Sequence, residues 1–228
     1  MLLIALSVSF SVDQRIQDAD IAVLDSSDEV LWLDPQQPSG LVLMRPPAAA
    51  AQSGSVLILA SADVGPNAST HFTRARLQLP FYGWRTYFAR LPIAPVGHDS
   101  TVTQDALQAL HAAVLEYARF VRAQGPTTLV IIAEGAIGEI CVSLRDRLDV
   151  DGLVLINLQA DSVERDMLRA VTLPSLVLQE NPNYWPKENP LGPDVELHVL
   201  SRVDARREDN RLLRKIRGWF KRRFAAQV

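Results

Sequence analysis

Cysteine is almost missing from this chain: Cys141 is the only one in 228 residues, which excludes an internal disulfide and any cysteine-rich zinc site. Histidine is scarce as well. His71, His98, His111 and His198 never fall at the His-x-x-x-His spacing that places two ring nitrogens on one helix face, and no aspartate cluster stands in for them, so no metal is expected. No run approaches the roughly 18 apolar residues that span a bilayer. Positive charge is not in excess, the formal net charge being -3, so the basic footprint of a nucleic-acid binder is lacking. Neither a G-x-G-x-x-G nor a Walker loop is present, and no cofactor is expected. No internal repeat is visible.

What remains is a chain that is 48% hydrophobic and long enough to bury one substantial core, so a single domain is the default. Cys141 lies in an apolar helical pattern and reads as a small buried hydrophobe. The start, M-L-L-I-A-L-S-V-S-F-S-V-D, resembles the apolar core of a secretory signal followed by small residues such as Ser9 and Ser11, although a positively charged leader is missing. Residues 1–20 are therefore expected to be a clipped signal peptide or an N-terminal extension, and 21–228 the folded domain. A signal implies export to the periplasm; without one the protein is cytoplasmic.

Short apolar runs alternate with helical patterns, the mark of a mostly parallel sheet covered by helices on both faces. Val30 to Leu33 and Leu41 to Met44, separated by P-Q-Q-P-S-G, read as an antiparallel hairpin, and P-P-A-A-A-A-Q-S-G follows as a flexible exposed linker. Val56 to Ala60 is a strand buried on both faces. A short helix from His71 to Leu79, a strand from Trp84 to Leu91 and an amphipathic helix over 102–121, with Leu107, Leu110, Val114, Ala118 and Val121 on its apolar face, come next. Thr127 to Ala133, Gly152 to Ile156, Leu173 to Gln179 and Val195 to Leu200 read as further strands. Helices are expected at Ala136 to Leu148, Val163 to Ala170 and Glu208 to Phe224. The result is an α/β-hydrolase-like sheet of about eight strands, and no long insertion after the sixth leaves room for a lid.

Such a fold places a nucleophile on the turn after the fifth strand, an acid after the sixth or seventh, and a histidine after the eighth. Here the turn reads A-E-G-A-I-G, so Gly135 stands where the reacting side chain belongs. Backbone is all it offers: the amides of Ala136 and Ile137 at the helix start can line a carbonyl or anion pocket, or the glycine simply satisfies a turn of positive φ. Glu134 is the polar side chain nearest this edge, able to act as a base, cap the helix or face solvent, and Glu180 occupies the acid position. No histidine follows Leu200. His198 alternates with apolar neighbours as a sheet residue, and His71, His98 and His111 sit on early loops or helices from which the usual topology brings no base. The loop after the third strand, where an H-G-G motif would build an oxyanion hole, reads A-S-A-D-V-G-P-N and keeps only Ser61 and Asp63 as polar side chains.

The C-terminal segment R-L-L-R-K-I-R-G-W-F-K-R-R is amphipathic, with Leu213, Ile216, Phe220 and Phe224 on one helical face. Packed on the sheet it is an ordinary closing helix. Alternatively Trp219, Lys221, Arg222 and Arg223 reach anionic lipid headgroups or an acidic partner, with Gly218 loosening the final turn.

Taken in order, V-L-W-L, L-V-L-M-R-P, S-V-L-I-L-A, Y-G-W-R-T-Y, V-I-I-A-E-G-A-I-G, G-L-V-L-I-N and the terminal R-K-I-R-G-W-F resemble a proteobacterial α/β-hydrolase-like family over nearly all of the chain after residue 25. The resemblance implies an exported protein and supplies no substrate. Many members of that family keep a histidine-glycine motif after the third strand, where this chain has Ala60-Ser61. The expectation is a hydrolase-fold protein with degenerate catalytic stations that binds a small ligand or a protein at an edge lined by Glu134, Gly135, Ala136, Ser61 and Asp63. The alternatives are an atypical ester or acyl hydrolase using Ser61 or Glu134, and a peripheral membrane adaptor using the basic helix.

Overall fold

In the computed structural model the chain is described at residues 21, 24, 27–34, 39–49, 51–92, 104–158, 167–180, 192–200 and 211–224. The expected signal peptide or extension at 1–20 lies outside these residues, as do His98, the proline-rich loop 181–191 and the segment 201–210.

Eight strands form one sheet: Glu29–Asp34 (β1), Ser39–Arg45 (β2), Gly54–Ala60 (β3), Trp84–Arg90 (β4), Leu129–Glu134 (β5), Gly152–Ile156 (β6), Ser175–Gln179 (β7) and Val195–Val199 (β8). Their order is β1-β2-β4-β3-β5-β6-β7-β8. The hairpin β1/β2 is antiparallel, β2 joins β4 antiparallel, and every later pair is parallel. Thr70–Gln78 (α1), Gln104–Ala123 (α2), Gly135–Ser143 (α3) and Arg211–Phe224 (α4) are the helices, with a 3-10 turn at Leu79–Tyr82. Of the helix expected at 163–170, residues 167–169 are described and helical.

Successive side chains of a strand point to opposite faces. In β3, Leu57 and Leu59 therefore join one core with Ile131 and Ala133, under α2 and α3, while Val56, Ile58 and Ala60 join the other with Ile132 and Val154, under α1 and α4. All seven residues of β3 are buried, as a central parallel strand requires.

Four details differ from the sequence reading. On α2 the buried stripe runs through Ala106, Val114, Tyr117, Ala118 and Val121, and Leu107 is 40% exposed because it lies about 100° of helical turn past Ala106. Helix α3 stops at Ser143 instead of Leu148, and turns continue the chain. The 46–54 linker is tied down: Ala48 donates its amide to Pro80 O at 2.9 Å and Ser53 donates to Gly83 O at 2.8 Å. Finally, α4 is unbroken through Gly218, and Trp219 is wholly buried. Trp219 is three residues beyond Ile216, hence on its face, so the tail cannot present this ring to a membrane. Trp219 packs on Phe224 with centroids 5.4 Å apart, and Phe220 meets Trp84 at 4.2 Å. Burying five apolar side chains of α4 stabilises its docking by on the order of 10 kcal/mol before entropy is counted.

The first strand pair is locked to α1 by a buried charge cluster. Asp28 accepts from Arg45 Nε at 2.8 Å and from Arg76 Nη1 at 2.9 Å, and Arg76 also donates to Asn67 Oδ1 at 2.9 Å. With Arg76 only 2% exposed, removing Asp28 would strand a buried cation, which costs several kcal/mol. This cluster ties α1, which carries His71 in its first turn, to the hairpin. No helix among the described residues is long and apolar enough to cross a membrane.

Candidate functional site

Strand β5 ends at Glu134, and the chain turns at once into α3 through Gly135, whose φ is +55°. Left-handed backbone is cheap only for glycine. A Cβ built on Gly135 would meet no heavy atom within 4 Å, so space stands open above the turn. Ala136 is exposed beside it, and the first amides of α3 have no partner within the helix. The backbone bend that presents a nucleophile is thus kept, with no side chain on it.

A cluster that spacing in the sequence did not suggest closes around this bend. Contrary to expectation, His71 is at the site: Ser69 caps α1, accepting the Phe72 amide at 3.4 Å, and the second helical residue then faces the carboxyl edge of the sheet. Its Nε2 lies 3.1 Å from Glu180 Oε1 and its Nδ1 3.6 Å from Glu134 Oε1. Asn157, directly after β6, completes the ring. Its Nδ2 donates to Glu134 Oε1 at 3.1 Å and to Glu180 Oε2 at 3.2 Å, while its Oδ1 accepts the Glu180 amide at 3.1 Å. Asn157 has φ +50°, a conformation asparagine tolerates better than other residues with a side chain.

Glu134 holds the N-cap position of α3 but makes no capping hydrogen bond, because its carboxylate is turned to His71 and Asn157. Burial alone would depress the His71 pKa; the carboxylates of Glu134 and then Glu180 outweigh it and raise the value above 6.5. Burial likewise works against ionisation of Glu134, and His71 with Asn157 reverses that, holding its pKa below 4.5. The group is therefore a histidine set between two carboxylates, a setting that favours the protonated ring. Both ring nitrogens face carboxylates, so neither offers a lone pair toward Gly135.

Ser61 and Asp63 flank the same edge. With Leu59 opposite Ala133, the chain leaving β3 at Ser61 runs beside the bend. Ser61 Oγ donates to Asp63 Oδ1 at 2.6 Å, and among the described residues neither side chain bonds to the His71 cluster. His198 is elsewhere, on β8, with Nε2 2.6 Å from Glu196 Oε1 and Lys215 Nζ 3.3 Å from Nδ1. Arg222 binds Glu196 at 2.6 Å and Arg223 lies 3.5 Å from Asp194, so two of the three tail cations expected to meet lipid are already paired. Cys141 is fully buried in α3, and burial pushes its thiol up to about 12. Among the described residues no group of histidine, cysteine and acidic side chains is arranged to hold a metal ion.

No protein-family model matches the chain, and no curated protein does. Solved structures do resemble it. The esterase domain of a Rhodothermus marinus protein superposes with a TM-score of 0.61 at 12% identity, covering 86% of this chain and 99% of its own. An alpha-beta serine hydrolase homologue from Coxiella burnetii gives 0.60 at 15%, covering 88% and 98%. A serine hydrolase without a lid from Xanthomonas campestris gives 0.55 at 18%, covering 90% and 97%. These likenesses establish an α/β-hydrolase fold.

Proposed function

We propose that this protein binds a small polar ligand at the carboxyl edge of its sheet and does not hydrolyse it. The observation that carries this reading is the pairing of an open, side-chain-free bend at Gly135 with a histidine whose two nitrogens both face carboxylates. Acyl transfer needs a nucleophile and a base with a free lone pair in contact, and losing either removes most of the rate. The ligand that fits presents a carbonyl oxygen to the amides of Ala136 and Ile137 and an N–H or ammonium group to Glu134 and Glu180. A free anion fits poorly beside two carboxylates.

A panel of chromogenic esters with a serine-directed fluorophosphonate probe tests the non-catalytic part. No turnover and no labelling are expected. Several structural neighbours are esterases, which motivates the competing reading: ester hydrolysis by Ser61, its proton held by Asp63. Robust turnover that disappears in Ser61→Ala or Glu134→Ala would establish that alternative. Thermal-shift screening with amides and amino acids tests the binding part, and stabilisation abolished by Glu134→Gln is the expected outcome.

A further inference from the structure

At the opposite end of the sheet lies a second concave site that the bend at Gly135 does not use. Its cavity of about 610 Å³ opens between α4 and the amino ends of β3 and β4, and that size suits a ligand of small-molecule dimensions. Trp84, Tyr82, Phe220 and Phe224 supply aromatic surface. Arg214, Arg217 and Lys221, spaced three and four residues apart, project from one face of α4 around it. Among the described residues no carboxylate lines it. Among the described residues none pairs with Arg214, Arg217 or Lys221, whereas Arg222 and Arg223 on the next face are matched with Glu196 and Asp194. Arg217 Cζ lies over the Tyr82 ring, 3.4 Å from its centroid, a contact with the ring face that does not use the N–H donors.

Gly218 supplies an independent indication. A glycine inside a helix is less favourable than alanine, and packing does not require it here. A Cβ at Gly218 would meet only Arg222 Nη1, at 3.4 Å, and Gly218 lines the cavity between Arg214 and Lys221. Gly218 thus leaves the wall between Arg214 and Lys221 without a side chain.

We infer that this cavity is a binding site for a soluble amphipathic anion: an aryl or short acyl group seated on Trp84 and Phe220, with a phosphate or carboxylate held by Arg214, Arg217 and Lys221. Three unneutralised cations around an apolar floor disfavour neutral ligands, and their forked or ammonium donors match oxyanion geometry. The assignment stands apart from the reading of the carboxyl edge, since the two sites share no residue.

The test is calorimetric titration of the full chain with 1-naphthyl phosphate, with 1-naphthol as the neutral analogue and with vesicles of phosphatidylglycerol and phosphatidylcholine. The phosphate is expected to bind at least about tenfold more tightly than naphthol, and Arg214→Ala or Lys221→Ala, both at exposed positions, to weaken it roughly three- to tenfold. Lys215→Ala, which removes the same charge beside His198 and away from the cavity, should leave affinity unchanged. Gly218→Leu should abolish binding while circular dichroism stays native. Equal affinity for naphthol and its phosphate, an equal loss in Lys215→Ala, unaltered binding in Gly218→Leu, or binding to vesicles without binding to the soluble phosphate would each overturn the assignment.

Discussion

Replacing Gly135 separates backbone from side chain at the bend. With φ at +55°, alanine there incurs the left-handed penalty of roughly 1–2 kcal/mol, and with no heavy atom within 4 Å of the added Cβ it incurs nothing more. For a domain of this size each kcal/mol lowers the melting temperature by about 2–4 °C, so Gly135→Ala should lose roughly 2–8 °C. Gly83 is the control. It has φ +83°, but its Cβ would fall 2.5 Å from Ala51 O, a backbone atom that cannot swing aside, so Gly83→Ala should cost clearly more. Differential scanning calorimetry of both variants measures the contrast. Equal losses would mean that the space above the bend is filled, and a stabilised Gly135→Ala that the turn is not left-handed. Gly135→Ser takes the argument to chemistry: it restores a hydroxyl at the crest, yet His71 remains committed to Glu134 and Glu180, so p-nitrophenyl acetate should not be turned over above background. Turnover with a histidine-like pH profile would refute the claim that both ring nitrogens are occupied.

The His71–Glu134 pair should give stability a bounded pH window. His71 has a raised folded pKa, so its contribution is complete below the ordinary 6.5 and is lost as pH rises through the folded value; Glu134 has a lowered one, so its contribution is complete above 4.5 and is lost as pH falls through the folded value. Urea denaturation of wild type and His71→Gln should therefore differ most between about pH 4.5 and 6.5, by about 1 kcal/mol for a partly exposed pair, and a difference that grows above pH 8 would contradict the arrangement. Asn157→Ala should cost about 2–3 kcal/mol in chemical denaturation, because it removes a hydrogen bond from each of two carboxylates that then keep only His71, and it leaves a left-handed alanine, while Asn157→Gly should recover the backbone part alone. Trp219→Ala should cost about 3–5 kcal/mol; a loss below 1 kcal/mol would return the ring to the surface.

The architecture was legible because its signals are local. V-L-I-L-A and G-L-V-L-I can only be strands buried on both faces, and turn residues mark their ends. Gly135 was legible for the same reason, as one residue between a strand and a helix. The polar ring was not, since it joins residues 71, 134, 157 and 180 from four separate connections, and no spacing along the chain encodes their meeting. The one usable signal for Asn157 was its place, a polar residue immediately after five buried apolar ones at the edge where ligands of open α/β sheets bind. Trp219 was misplaced by judging residue type before helical angle.

One sheet thus holds two ends of opposite electrostatic character. Its carboxyl end carries a histidine between two carboxylates and its amino end three cations without acids among the described residues, separated by the seven residues of β3, about 20 Å at the rise of an extended strand. That is about two Debye lengths at physiological ionic strength, so direct charge coupling through solvent is slight. Independence is the consequence: His71→Gln should leave naphthyl phosphate affinity unaltered, and Arg217→Ala should leave the pH window of the His71 pair in place. Coupling between them would require a mechanical route, and among the described residues α1 with the turn after it offers one, since it carries His71 in its first turn and leads to Tyr82 at the cavity; its buried Arg76, held by Asp28, opposes any sliding along that route.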